Sequence, residues 1–225
     1  MAVDVASFVW SAEGDVHFRG GEDDLIQYLL VLDALNFCFW PNPDLEYGPL
    51  AAGIAASVRA DPDCISADQL SKADEAFVKR LTGVDMPEVS ERARLLREIG
   101  SGLLQRFSGR AINLVRAANG SAVALVDLIT ATFPGFRDSC VYAGRQVFFY
   151  KRAQIFVADV WGALQKEGLG HFPDMDKLTM FADYRVPQLL AHLGVMTFTP
   201  SLLSRIEARE EIAAGSPEEG ELRAW

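Results

Sequence analysis

Nine polar side chains stand in apolar surroundings along this chain: Asp33, Asn36, Lys151, Arg152, Gln154, Asp159, Asp183, Arg185 and Gln188. A charge carried into an apolar element needs a partner or a task, because stripping water from an unpaired ion is costly. A structural ion-pair network and a binding site would both leave this signature. The stretch Met180-Phe-Ala-Asp183-Tyr-Arg-Val-Pro187-Gln188 is the most suggestive, because an apolar run from Leu189 to Leu193 follows it. Proline is tolerated in a first helical turn, where its missing N–H is not needed. Asp183 therefore reads as the N-cap, or the N-terminal neighbour, of a helix whose dipole favours a negative charge there. It is either a cap alone or a carboxylate that the cap geometry aims.

A second candidate group lies between Asp33 and Trp40. Phe37, Phe39 and Trp40 offer flat apolar faces, and Asn36 supplies a donor and an acceptor. Such a segment is either a core helix whose Asp33 and Asn36 face water or the wall of a pocket for a ring. Lys151, Arg152, Gln154 and Asp159 fall on one predicted helix, within an apolar background.

Other chemistries are excluded. The chain has no G-x-G-x-x-G after a strand, no G-x-x-x-x-G-K-[ST], no G-x-S-x-G and no H-E-x-x-H, which removes the common nucleotide-dependent and nucleophile-elbow enzymes. Cys38, Cys64 and Cys140 are scattered, and His17, His171 and His192 lack ligand spacing, so neither a disulfide framework nor a metal is expected. His192 sits in an apolar stretch and is expected to pack rather than react. The formal net charge of −10 disfavours a nucleic-acid polymer as partner. No leader and no span long enough for a bilayer is visible, which makes a soluble, cytoplasmic protein the expectation. No cofactor is implied.

The elements that must position these residues are mostly helices. The 225 residues, half of them hydrophobic, suffice for one sizeable core. Residues 1–20 read as irregular, with Val9-Trp10 and Val16-His17-Phe18 as short strands or anchors. A helix is predicted from Glu22 through Trp40, stopping at Pro41. Others are expected over Tyr47–Arg59, through Leu70, over Asp74–Leu81 and from Pro87 to Phe107. In the last, Glu91, Arg92, Arg94, Arg97 and Glu98 are expected to face water. Helices over Arg110–Ala117 and Ser121–Thr132 follow, then a tight Pro134-Gly135 hairpin turn. A short strand or helix start is expected near Val147–Tyr150 and a helix over Lys151–Leu164. After it come a short helix over Asp176–Phe181, the Asp183 helix, a charged helix over Leu202–Ile212 and an acidic, turn-rich tail from residue 213 to 225. The sum is a mainly α, single-domain orthogonal helical bundle over residues 1–225, with at most a short β-hairpin.

Four segments, Leu32-Asp-Ala-Leu-Asn-Phe-Cys-Phe-Trp40, Phe133-Pro-Gly-Phe-Arg-Asp138, Phe149-Tyr-Lys-Arg-Ala-Gln-Ile-Phe-Val-Ala-Asp159 and Met180 to Gln188, resemble the queuosine salvage protein family in order and spacing. The resemblance extends from about residue 22 to about residue 212. It implies a fold like that of the helical DNA glycosylases and hydrolysis of the N-glycosidic bond of queuosine 5′-monophosphate, freeing the base queuine for tRNA modification. It implies Asp183 as the catalytic carboxylate and Lys151 as a catalytic or phosphate-binding cation. Asn36 and Asp159 are implied for the polar edge of the base, and Phe37, Phe39, Trp40 or Tyr184 for its faces. Arg152 and Arg185 are implied for the phosphate, with Gln154 and Gln188 lining the site. A non-catalytic nucleotide- or queuine-binding protein is the alternative. Set against the family pattern, the chain is expected to lack an N-terminal helical segment and helices beyond Glu221-Leu-Arg223, and to be short between Trp40 and Ser66.

Overall fold

A computed structural model describes residues 16–42 and 45–224; the expected strand or anchor at Val9-Trp10 lies outside them. The chain divides into two compact units. One runs to Phe136 and resumes over Arg152–Thr179; the other joins Arg137–Lys151 to Met180–Trp225.

Among the described residues the regular elements of the first unit are all helices. Helix α1 (Glu22–Ala34) carries Glu22, Asp23 and Asp24 in its first turn and is buried continuously from Leu25 to Ala34. A helix buried on every side over these turns belongs at the centre of a core. The unit also holds α2 (Tyr47–Ala60), α3 (Ala67–Leu70), α4 (Glu75–Thr82), α5 (Val89–Arg106), α6 (Ala111–Ala117), α7 (Ala122–Thr132) and α8 (Lys151–Ala163), of which α2, α5 and α6 pack directly on α1. Asp74 caps α4 by accepting the Phe77 N–H at 2.7 Å, and Gly83 closes that helix at φ 68°. Gln27 is buried inside α1 and fully used, donating to the Ile65 carbonyl and accepting the Ala111 N–H, both at 2.9 Å. At residues 16–18 the backbone is irregular, and His17 anchors by hydrogen bonding Tyr28 Oη at 3.2 Å.

The first helix stops at Ala34, and Asn36 to Trp40 run without regular structure. The carbonyls of Ala34, Leu35, Phe37 and Cys38 accept from the guanidiniums of Arg152 and Arg92, which removes them from a helical ladder. Arg92, expected in water, is fully buried. Asp33 and Asn36 do not face water either, at 0% and 8% exposure. Pro134–Phe136 is a single 3-10 turn rather than a hairpin. Beyond a 3-10 turn at Met175–Lys177 the expected helix over Asp176–Phe181 does not form. The Thr179 N–H is instead taken by Gln154 Oε1 at 2.7 Å.

The second unit opens with an antiparallel hairpin, β1 (Ser139–Tyr142) on β2 (Arg145–Phe148), with Cys140 opposite Val147. Ala143 and Gly144 turn it with φ of 49° and 76°, and positive φ at both central residues suits the twist of the strands. Helices α9 (Arg185–His192), α10 (Pro200–Glu207) and α11 (Pro217–Ala224) complete it. Helix α10 is shorter than predicted, and α11 stands where a turn-rich tail was expected. His192 is exposed on α9 instead of packed. Cys140, Phe149 and Ala182 form the core of this unit, with Tyr142 and Val147 packed against it.

Candidate functional site

Asp183 sits two residues ahead of α9, and its Oδ1 accepts the Arg185 N–H at 2.8 Å. The chain enters the helix through Tyr184, and Pro187 occupies the first turn, where it costs no hydrogen bond. The other oxygen, Oδ2, lies 3.6 Å from Lys151 Nζ, and the side chains are 28% and 12% exposed respectively. One oxygen is therefore set by a backbone donor and the other faces a cation. Such a carboxylate has its orientation fixed in advance and stays open to a small ligand, the arrangement that stabilises positive charge on a reacting carbon. Tyr184 and Arg185 flank it, both exposed, with the Arg185 guanidinium 5.7 Å from the Tyr184 ring centroid. Gln188, a turn further on, is exposed too.

Two residues that sequence reasoning did not select as site residues stand behind this pair. Asp138 Oδ2 accepts the Lys151 N–H at 3.2 Å. Arg223, from α11, meets Asp138 with both terminal nitrogens, at 2.9 and 2.5 Å, and donates through Nε to the Ala182 carbonyl at 2.9 Å. Its guanidinium lies 4.1 Å from the Phe149 ring centroid. Burial works against the guanidinium charge, but Asp138 and then Glu219 outweigh it and raise the Arg223 pKa.

In the first unit the aromatic strap from Asn36 to Trp40 is held by arginines. Arg92 donates to the carbonyls of Pro87 at 2.7 Å, Leu35 at 2.5 Å, Phe37 at 2.6 Å and Cys38 at 2.8 Å. Burial brings its pKa down to about 10, which leaves it charged at neutral pH. Arg152 donates to the Ala34 and Gly135 carbonyls, both at 2.5 Å. The two guanidiniums lie 4.3 and 4.8 Å from the Phe37 ring centroid, within cation–π range. Phe39 is half-buried and Trp40 is 47% exposed. Gln154 spends its amide on Thr179, donating to Oγ1 at 2.9 Å besides accepting its N–H. Asp159 is half-buried on α8. Burial raises the Tyr47 phenol pKa, and the carboxylates of Asp159 and Asp33 raise it further, which places both acids in the neighbourhood of that ring. The structure thus brings Lys151, Asp183, Tyr184 and Arg185 together in one unit, and Asn36, Phe37 and Arg152 in the other.

Among the described residues no cluster of His, Cys, Asp or Glu could hold a metal ion, and no helix is long and apolar enough to cross a membrane. None of the three cysteines is joined in a disulfide among the described residues.

The chain is thus mainly helical, with a carboxylate anchored at a helix start and facing a half-buried lysine. Its sequence fits the queuosine salvage protein pattern over residues 16–225, and the chain belongs to that family. It is 52% identical to the queuosine 5′-phosphate N-glycosylase/hydrolase of Dictyostelium discoideum over 198 residues, which cover 88% of this chain and 62% of the relative. The protein of the same name from Sphaerobacter thermophilus is 46% identical over 228 residues, covering 96% of this chain and 70% of its own. The Mus musculus protein, again of that name, is 33% identical over 231 residues, covering 95% and 68%. This chain therefore spans somewhat under two thirds to about seven tenths of the length of these relatives.

Proposed function

We propose that this chain hydrolyses the N-glycosidic bond of queuosine 5′-monophosphate, releasing queuine and ribose 5-phosphate, in the cytoplasm. The observation that carries the proposal is the Lys151–Asp183 pair, with a carboxylate held by a helix-terminal N–H on one oxygen and facing a cation with the other. The names of the relatives supply the substrate.

The chemistry follows from the bond. As the C1′–N bond breaks, its electron pair leaves with the base and positive charge grows on C1′ and the ring oxygen. Asp183 stabilises that charge and directs the water that adds to C1′. The water's oxygen becomes the anomeric hydroxyl, one of its protons leaves, and the departing base gains one. A 7-deazapurine has no N7 to protonate, so its leaving is eased by hydrogen bonds at its polar edge. For a face of the ring we assign Tyr184, which adjoins Asp183 in the same unit; Asn36 and Asp159 for the polar edge, and Phe37, Phe39 and Trp40 for the faces, are what the family resemblance implies. Lys151 keeps the carboxylate oriented and Arg185 meets the 5′-phosphate. Arg152, first expected at the phosphate, is assigned to support of the strap, and Gln154 to support of Thr179.

Purified protein incubated with queuosine 5′-monophosphate should release queuine measurable by chromatography. Asp183→Asn, which keeps shape and loses charge, should lower kcat by about 10²-fold or more while circular dichroism is unchanged, a loss typical of removing one transition-state stabiliser. Absence of queuine above buffer, from folded parent protein, sinks the hydrolase and leaves a non-catalytic binder.

A further inference from the structure

We infer that Arg223 and Asp138 form a positioning couple that sets the distance and direction of Lys151 relative to Asp183. The inference rests on the catalytic role proposed above for those two residues and adds what holds them.

A single side chain ties both. Through Nε, Arg223 holds the carbonyl of Ala182, the residue covalently joined to Asp183. Through its two terminal nitrogens it holds Asp138, whose Oδ2 binds the N–H of Lys151. The path from Asp183 to Lys151 therefore runs through one guanidinium and one carboxylate, side chains only 17% and 20% exposed. The main chain of Asp138 extends the brace, because its carbonyl accepts the N–H groups of Phe149 at 2.9 Å and Tyr150 at 3.0 Å. Those are the two residues before Lys151.

The Arg223 side is fixed as well. Glu219 Oε1 accepts from Arg223 at 2.9 Å one turn earlier on α11. Gly220 lets α11 approach β1 so closely that a Cβ there would fall 2.8 Å from Cys140 Sγ. A planar fork can meet a carboxylate with two nitrogens and still direct Nε elsewhere; a lysine ammonium cannot. A brace that only stabilised the fold could lie anywhere in this unit. This one ends on the residue before one catalytic group and on the backbone of the other.

The test is Arg223→Lys, with Asp138→Asn as a second variant. Each is compared with the parent for kcat and KM on queuosine 5′-monophosphate, and for amide hydrogen exchange at Lys151 and Arg185. Misplacing a reacting group by about 1 Å costs about 10²-fold, so kcat should fall about 10- to 100-fold with KM within about threefold. Exchange at the Lys151 and Arg185 amides should quicken about tenfold or more, while amides of α5 exchange as in the parent. Parent-like kcat, a rise in KM alone, or unchanged exchange at both amides overturns the inference. If the parent releases no queuine, the hydrolase assignment falls by itself and the exchange measurement still decides whether the couple holds the pair.

Discussion

Replacing Arg92 by Met tests how the aromatic strap is held. The variant keeps most of the stem and deletes a fully buried guanidinium that serves four carbonyls, those of Pro87, Leu35, Phe37 and Cys38. A hydrogen bond to a charged donor contributes about 1.5–3 kcal/mol, and a buried carbonyl left without a partner loses about 1–3 kcal/mol. The Leu35 carbonyl lies deepest and should lose about 2 kcal/mol; the other three regain water in part and should lose about 1 kcal/mol each. Burying the extra apolar surface of Met returns about 1 kcal/mol, so the net loss is about 4 kcal/mol. For a chain of this length that corresponds to a fall in Tm of about 8–16 °C. Urea titration followed by circular dichroism and tryptophan fluorescence measures it, as a lower midpoint at unchanged slope. Arg92→Lys should recover only a small part, since one ammonium cannot reach four carbonyls. A loss below about 1 kcal/mol for Arg92→Met would refute the bookkeeping, because the cost of dehydrating the guanidinium would then have cancelled its bonds.

Lys151→Ala should lower kcat more than it raises KM, since Lys151 faces Asp183 Oδ2; a pure rise in KM would move Lys151 to the phosphate. Gly53→Ala should destabilise by about 1–3 kcal/mol, because its Cβ would collide with the Thr82 carbonyl where α2 packs on α4; an unchanged melting temperature would contradict it. Burial lowers the pKa of His17 below its usual 6.5, so the unfolded chain binds the proton first. The contribution of His17 to stability is present above pH 6.5 and is lost as pH falls from there toward the folded pKa. His17→Asn should flatten that part of the stability profile, and an unaltered slope would show that other groups dominate.

The elements with local signals were legible. Asp74 before α4, the paired small and apolar residues of α2 and the Asp183–Pro187 spacing are local, and each forms as its chemistry predicts. Arg92 was missed because charged residues in a helix were assigned to water by type. Yet Arg92 lies on the stripe of Ala93, Leu96, Ile99 and Leu103, and that position was the available signal. Helix α11 was hidden by a composition rich in Gly, Pro and Glu. Pro217 at its start with Glu218 and Glu219 in the first turn is, however, an ordinary helix opening. The meeting of Lys151 with Asp183 had no local signature. Thirty-two positions separate them in the sequence; both stand among the lone polar residues, but only the family resemblance assigns both to one site.

The second unit is made of two stretches, Arg137–Lys151 and Met180–Trp225, and this discontinuity shapes its history on the ribosome. Asp138 is synthesised 85 residues ahead of Arg223, its partner. At about 5–20 residues per second that interval lasts roughly 4–17 s. Meanwhile the hairpin waits with Asp138 lacking Arg223 and the Phe149 ring lacking its guanidinium. The groups assigned to catalysis therefore come into register last, after nearly all of the described chain has been made, and a nascent chain stalled before α11 would carry Asp183 and Lys151 without the brace that joins them.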